Sequence, residues 1–268
     1  MCIDCGCGDA ANTHGHKHAH DHSHEHGHSH RGPDGKEYWH THDNDQPQHE
    51  HARTIRVEQD VLSKNNGIAI KNRQWLDAHR ITAFNLMSSP GAGKTTLLEK
   101  TLEHLPQDCT VAVLVGDQET DLDARRLQGR GSMVTQINTY RTCHLDAAMI
   151  SRELEAYGDA HINILLIENI GNLVCPASFD LGEHVRVAVL SVAEGEDKPV
   201  KYPVLFNSAD VVLITKTDLI PHLDWDMELC HSYIRKSGSR ARIIELSART
   251  GKGMDAWLDY LQNMKRHD

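Results

Sequence analysis

The chain has 268 residues, with 38 acidic against 28 basic side chains and a formal charge of −10 when His is neutral. That length suits one large domain or a domain with a tail, and a hydrophobic share of 39% with 5% aromatic residues is low for a chain packed throughout. No apolar run approaches the roughly 18 to 20 residues of a membrane-spanning helix. The acidic balance also speaks against nucleic acid as the main partner, because phosphate binding asks for a positive face.

The first residues, Met1-Cys2-Ile3-Asp4-Cys5-Gly6-Cys7, carry neither the basic nor the apolar stretch of a secretory signal, so the expected location is the cytoplasm. Seven Cys is an odd number, and in a reducing compartment it favours thiolate ligands over a disulfide framework. Cys2, Cys5 and Cys7 place three thiolates within six residues around a Gly that permits a tight turn. Such a run can wrap one soft or borderline divalent ion, with the amino group or a backbone nitrogen as fourth donor. A thioredoxin-like redox pair would need a strand-to-helix setting that this stretch lacks.

Residues 8–52 are expected to form a segment without a fold. His occupies every even position from His14 through His16, His18, His20, His22, His24, His26 and His28 to His30. Nothing apolar stands between them to bury, so the period raises ligand density rather than signalling a strand. Neutral imidazoles at this density bind several Ni²⁺ or Zn²⁺ ions, each weakly and exchangeably. The acidic spacers and the continuation to His40, His42, His49 and His51 set the tract apart from an engineered run of six.

A domain over 53–268 follows. Ile55, Val57, Val61, Leu62, Ile68, Ile70 and Trp75 predict an amphipathic helix, broken or bent near Asn65-Asn66-Gly67. Strands and helices then alternate: strand 81–87, helix 95–105, strand 110–115, helix 122–128, strand 133–137, and a helix from about 144 to 157. Strands 162–167, 185–192 and 211–215 come next, then helix 226–236, strand 242–246 and helix 254–264. Alternation of this kind predicts an α/β fold, a mostly parallel sheet with helices on both faces. Ligands on such sheets sit at the carboxyl ends of the strands.

The motifs fall at those ends. Ser88-Ser89-Pro90-Gly91-Ala92-Gly93-Lys94-Thr95-Thr96 follows the first strand of the domain and enters a helix. The backbone N–H groups of Gly91 to Thr96 can cradle a polyphosphate, Lys94 can reach its β and γ phosphates, and the Thr95 hydroxyl can ligate Mg²⁺. Ser88 stands where the strict phosphate-loop pattern has Gly. Thr215-Lys216-Thr217-Asp218 ends a later strand, with Thr215 where Asn is usual. The Asp218 carboxylate can accept from guanine N1–H and N2–H₂ while the Lys216 stem covers the ring. Ser247-Ala248-Arg249 matches the short element whose backbone N–H meets guanine O6. These elements, in this order at strand ends, predict a GTPase. Glu168-Asn169-Ile170-Gly171 resembles a D-x-x-G switch with Glu168 for Asp. Asp117 is a candidate for Mg²⁺ contact and for positioning the attacking water, with a helix N-cap as the alternative, a role open to Asp121 too.

Cys143 and His144 are expected to open a helix, and Cys175 lies seven residues past Glu168. All three are expected near the phosphate-bearing strand ends, where a bound metal would sense the nucleotide. Each Cys taken alone is also compatible with a small buried hydrophobe, the reading given to Cys109 and Cys230.

The run Cys2-x-x-Cys5-Gly6-Cys7, the loop from Ser88 to Thr96, and Glu168-Asn169-Ile170-Gly171-Asn172-Leu173-Val174-Cys175-Pro176 together resemble the HypB family of hydrogenase nickel-incorporation GTPases, over essentially the whole chain. Ser88 and Glu168 are consistent with that family. The resemblance implies a P-loop GTPase of the dimerising (SIMIBI) class that includes nitrogenase iron protein. It implies a high-affinity nickel site at Cys2, Cys5 and Cys7, and a second nickel or zinc site from Cys143, His144 and Cys175 at a dimer interface. Implied partners are a second copy, a HypA-type nickel chaperone, SlyD and the large subunit of [NiFe] hydrogenase. The His tract resembles the nickel-storing insert that some members carry. Two rivals stand beside this reading. The UreG urease accessory GTPases lack the C-x-x-C-G-C run, and a pure nickel store with a vestigial nucleotide domain is opposed by the intact Lys94, Thr95, Asp117 and Asp218.

Overall fold

The computed structural model describes residues 27–31, 37–41, 47–106, 108–130, 132–140, 142–158 and 160–265. The chain divides into two compact units, Met1–Val61 and Leu62–Asp268. Cys2, Cys5, Cys7 and the tract from His14 to His26 lie outside the described residues.

In the first unit, β1 (Gly27–Arg31) pairs antiparallel with β2 (Glu37–Thr41), His28 facing His40 in the register. This pairing falls within the segment expected to lack a fold. Main-chain hydrogen bonds need no apolar face, so an apolar count does not register it. Helix α1 (Pro47–Ala78) runs through the boundary drawn at residue 52.

In the second unit the later part of α1 continues without the break expected at Asn65-Asn66-Gly67. A helical Gly costs about 1 kcal/mol, and the tertiary bonds of Asn65 outweigh it: Nδ2 donates to the Asp180 carbonyl at 2.7 Å and Oδ1 accepts from the Ala147 N–H at 2.9 Å. One turn pair on, Asn72 donates to the carbonyls of Ala147 at 2.8 Å and Leu181 at 3.0 Å. The expected apolar face is also corrected. Val61 and Ile70 are exposed, while Asn65, Ala69, Asn72 and Leu76 are buried. The helix docks through amides and a small residue because Gly182 comes so close that a Cβ there would lie 2.6 Å from that of Asn72.

The sheet follows: β3 (Thr82–Ser88), α2 (Lys94–His104), β4 (Val111–Asp117), α3 (Leu122–Leu127), β5 (Met133–Asn138), α4 (Ala147–Tyr157), β6 (Ile164–Glu168), α5 (Cys175–Ser178), β7 (Val185–Ser191), α6 (Lys198–Lys201), α7 (Pro203–Ser208), β8 (Val211–Thr215), α8 (Met227–Lys236), β9 (Arg242–Glu245) and α9 (Met254–Met264). The strand order is β5-β4-β6-β3-β7-β8-β9, and every pairing is parallel. The central strands are buried along their length, as strands covered on both faces must be, and β6 and β8 are almost wholly apolar while β3 carries the buried Asn85. Trp257 of α9 seals one face, edge-on to Phe84 with ring centroids 6.2 Å apart and its Nε1–H donating to Thr101 Oγ1 at 2.9 Å. The short helices α5, α6 and α7 are additions to the predicted elements. At four to six residues they are too brief for a 3.6-residue period to register.

The chain leaves β3 toward β4 on one side, and later crosses β3 to place β7 on the other. The carboxyl end of β3 is therefore a topological switch point, where open α/β sheets form their ligand crevice.

Among the described residues no helix is long and apolar enough to cross a membrane.

Candidate nucleotide and metal site

The crevice at the end of β3 is a cleft of about 530 Å³ whose lining includes Gly91, Gly93, Lys94, Thr95, Thr96, Asp117, Glu168, Gly171 and Lys216. Gly91 and Gly93 hold φ of 75° and 99°, a left-handed backbone that other residues rarely take. This geometry turns the chain into α2 with its first N–H groups toward the cleft. Lys94 Nζ donates to Ser88 Oγ at 2.8 Å, so the Ser that departs from the Gly pattern serves as a rest for the lysine. Burial lowers the Lys94 ammonium below its ordinary range, partly offset by the Glu168 carboxylate.

Glu168, at the end of β6, accepts from Thr95 Oγ1–H at 2.7 Å. Burial pushes its carboxyl up to about 7 against the pull of Lys94, and its second oxygen is buried with no hydrogen-bond partner. A buried carboxylate oxygen without a donor, beside a Thr hydroxyl, fits a hard divalent cation such as Mg²⁺. Asp117 lines the same cleft, but its carboxylate accepts from the N–H groups of Glu119 and Thr120 and from the Thr120 hydroxyl. Burial alone would raise that carboxyl; these bonds outweigh it and hold it below the ordinary range. Asp117 thus closes its own turn and does not cap α3. Asp121 occupies the cap position without a side-chain cap bond and pairs with Arg125 instead.

Three residues of this edge escaped the motif reading. Asp123 and Arg126 of α3 line the cleft, Arg126 donating to Thr96 Oγ1 at 3.1 Å and to Glu99 at 2.6 Å. Glu194, just past β7, accepts from the Ser89 hydroxyl. The charged run from Asp121 to Arg126 was the one visible signal for the first two, and a solvated helix face reads the same way. Gly171 approaches the loop so closely that a Cβ would lie 2.8 Å from Pro90 Cα, which explains the Gly of the switch-like segment.

A second, apolar-walled hollow is lined by Ala92, Gly93, Thr96, Lys216, Asp218, Ser247, Ala248 and others. Thr215 Oγ1 donates to the Ala92 carbonyl at 2.8 Å, so the loop support that Asn usually gives is present with Thr. Lys216 takes φ 60° and its Nζ meets the Gly91 carbonyl at 2.6 Å. This lays its stem across the wall of the hollow. Ser247 Oγ–H donates to Asp218 Oδ1 at 2.6 Å, fixing the carboxylate that would read the base edge.

The thiols come together nearby. Ligand atoms of Cys143, His144 and Cys175 lie within 4.8 Å of one another, the one such triad of Cys, His or carboxylate among the described residues. Cys143 and His144 precede α4 rather than opening it. The helix starts at Asp146, whose carboxylate accepts from the Met149 N–H at 2.8 Å, and Ala147, Ile150 and Leu154 give it a buried stripe. His144 stacks on Phe179 with centroids 3.9 Å apart, and its Nδ1 is buried with no hydrogen-bond partner. Burial lowers the imidazole below its ordinary range, with Asp146 opposing, so the neutral, ligand-competent form prevails at pH 7. Two thiols and a neutral imidazole fit a borderline cation. Cys109 and Cys230 are buried away from this triad, as expected. Burial, with Glu196 and Glu245, pushes the Cys230 thiol up to about 12.

Fold and cleft together define a P-loop nucleoside triphosphatase. The family model described as "CobW/HypB/UreG, nucleotide-binding domain" matches residues 82–245. The hydrogenase maturation factor HypB of Azotobacter chroococcum is 49% identical over 214 residues, 80% of this chain and 70% of that protein. Among solved structures, HypB from Archaeoglobus fulgidus superimposes with a TM-score of 0.71 at 38% identity, covering 76% of this chain and 99% of that one. HypB from Helicobacter pylori, solved in complex with nickel, gives a TM-score of 0.71 at 36% identity over 76% and 95%. The chain belongs to the CobW/HypB/UreG nucleotide-binding family, in its HypB branch of hydrogenase maturation factors.

Proposed function

We propose that the protein is a GTPase metallochaperone that stores Ni²⁺ and delivers it to the large subunit of [NiFe] hydrogenase, with GTP hydrolysis and dimerisation controlling release. The observation that carries this reading is the Cys143/His144/Cys175 triad, whose Cys175 stands seven residues along the chain from Glu168, the buried carboxylate of the phosphate cleft. One segment, residues 168–175, therefore belongs to both sites. That the H. pylori relative was solved in complex with nickel supports nickel as cargo; two thiols and an imidazole also accept Zn²⁺.

In this reading Asp218 and the Ser247-Ala248 turn select guanine, while Gly91 to Thr96 hold the phosphates. Mg²⁺, held by Thr95 with Glu168 or Asp117, would neutralise charge on the β and γ oxygens. Lys94 stabilises the negative charge that develops on the transferring phosphoryl group, and its burial strengthens that interaction. Asp117 is the candidate for orienting the attacking water. Cys2, Cys5 and Cys7 form the tight nickel site, and the His tract the exchangeable store. The partners are a second copy, a HypA-type chaperone, SlyD and the hydrogenase large subunit, in the cytoplasm.

The test is Ni²⁺ stoichiometry and affinity by competition titration, with GTP turnover, on three forms: full length, residues 8–52 deleted, and Cys2, Cys5 and Cys7 changed to Ala. The deletion is expected to lower the number of ions alone, and the Cys changes to remove one tight site. A tight site that survives the Cys changes would leave Cys143, His144 and Cys175 as the delivery centre, and absent GTP turnover would overturn the GTPase reading.

A further inference from the structure

Cleft and triad share a second link besides the chain from Glu168 to Cys175. Asn169, directly after Glu168, is 1% exposed. Its Oδ1 accepts two N–H groups, that of Ile170 at 2.9 Å and that of Leu145 at 3.3 Å. Ile170 belongs to the switch-like segment and lines the phosphate cleft. Leu145 directly follows His144. The orientation of the amide is fixed from behind, where Nδ2 donates to Asn85 Oδ1 at 3.1 Å in the middle of the sheet. Asn85 in turn donates to Glu183 Oε1 at 3.4 Å. Leu145 also packs against the end of β4 from the other side, since its Cγ lies 2.9 Å from where a Cβ of Gly116 would stand, next to Asp117. The residue behind His144 is thus held between the ends of β4 and β6.

One oxygen divided between two donors responds to both. If a bound γ-phosphate draws Ile170 toward the cleft, Oδ1 is left to Leu145, and its longer bond can shorten; if Ile170 swings back, the bond to Leu145 competes again. Either change moves the backbone that carries His144 while leaving the donor atoms themselves intact. An Ala at this position would leave the buried Leu145 N–H without its acceptor, and an Asp would lose the donor toward Asn85.

We propose that Asn169 is a positioning residue that couples nucleotide state to metal affinity at the Cys143/His144/Cys175 triad, through the carboxamide oxygen shared by Ile170 and Leu145. This rests on the reading that the triad is a nucleotide-gated nickel site. Coupling of this kind is reciprocal and is typically about 5- to 150-fold in affinity.

The experiment uses the full chain with Cys2, Cys5 and Cys7 changed to Ala, with and without Asn169→Ala. Ni²⁺ binding is followed by thiolate-to-nickel charge-transfer absorption, to which the imidazoles of the His tract do not contribute. Each form is titrated in saturating GDP and in a saturating non-hydrolysable GTP analogue. The expected result is an affinity ratio between the two states of at least about fivefold in the parent, collapsing to within twofold of unity in Asn169→Ala with Ni²⁺ and GDP still bound. A variant that keeps the parent's ratio overturns the role of Asn169 and leaves the gating intact. A parent ratio of one overturns the gating reading itself. A readout that needs no variant is amide hydrogen exchange of Leu145 in the two nucleotide states: a nucleotide-dependent rate is expected, and equal rates would overturn the proposal even if Asn169→Ala fails to fold.

Discussion

The phosphate cleft and the thiol triad lie on the same edge of one sheet, yet they are finished differently. In the cleft and the hollow beside it most polar groups are met by another of the protein's own, the second Glu168 oxygen excepted: Lys94 by Ser88, Thr95 by Glu168, Asp117 by its own turn, Lys216 by the Gly91 carbonyl and Asp218 by Ser247. The triad is soft and nearly neutral, with a buried imidazole nitrogen that no protein group meets. A densely charged site must hold its geometry before a ligand adds four more charges, and internal bonds do that. A cation site made of thiols and imidazole needs a donor with nothing else to bond. The difference teaches that preorganisation takes opposite forms for an anionic and a cationic ligand, and the unmet Glu168 oxygen, placed for a cation inside the cleft, follows the second form.

The sharpest way to break this contrast is to disable one site and read the other. Lys94→Ala is expected to lower GTP turnover by about 100- to 1,000-fold, with the thiolate-to-nickel absorption of the triad retained in GDP. In the converse change, Cys175→Ser is expected to abolish the part of that absorption due to the triad, measured with Cys2, Cys5 and Cys7 replaced, while turnover with Mg²⁺ and without Ni²⁺ stays within about threefold. Loss of both activities in either variant would show that the sites are one structural unit.

A smaller effect is expected at the seam. The new Cβ of Gly171→Ala would press on the Pro90 backbone, and overpacking of about 1–3 kcal/mol corresponds to a roughly 5- to 150-fold loss of GTP-analogue affinity by calorimetry. An unchanged affinity would mean that the loop yields freely. Asn72→Ala removes the donor to Ala147 and Leu181 and is expected to cost about 1–3 kcal/mol in urea unfolding, because the entry to α4 behind the triad loses one of its two ties to α1 and keeps only that to Asn65. Last, alkylation at pH 8 is expected to label Cys143 and Cys175 before Cys230, whose buried thiol is held near 12. Peptide mass spectrometry over time reads the order, and early labelling of Cys230 would mean that α8 opens more readily than the triad.

The order of strands and helices in the nucleotide domain was legible because most strands are short, largely apolar runs and they alternate with helices of recognisable period. The phosphate loop, the Lys216–Asp218 turn and Ser247-Ala248 were legible for another reason: each is a short run of residue types whose groups lie within a few positions of one another at a strand end. The intact helix through Asn65-Asn66-Gly67 was not, since the bonds that keep it whole come from Asp180 and Ala147, more than 80 residues away. Nor were the rest that Ser88 gives Lys94, the placing of Glu168 beside Thr95, or the sharing of Asn169 between Ile170 and Leu145. Local residue types decided which reactions the chain can approach. Which oxygen faces which donor was decided only when β3, β4 and β6 were laid side by side, because a hydrogen bond depends on tenths of an ångström that spacing along a chain does not encode.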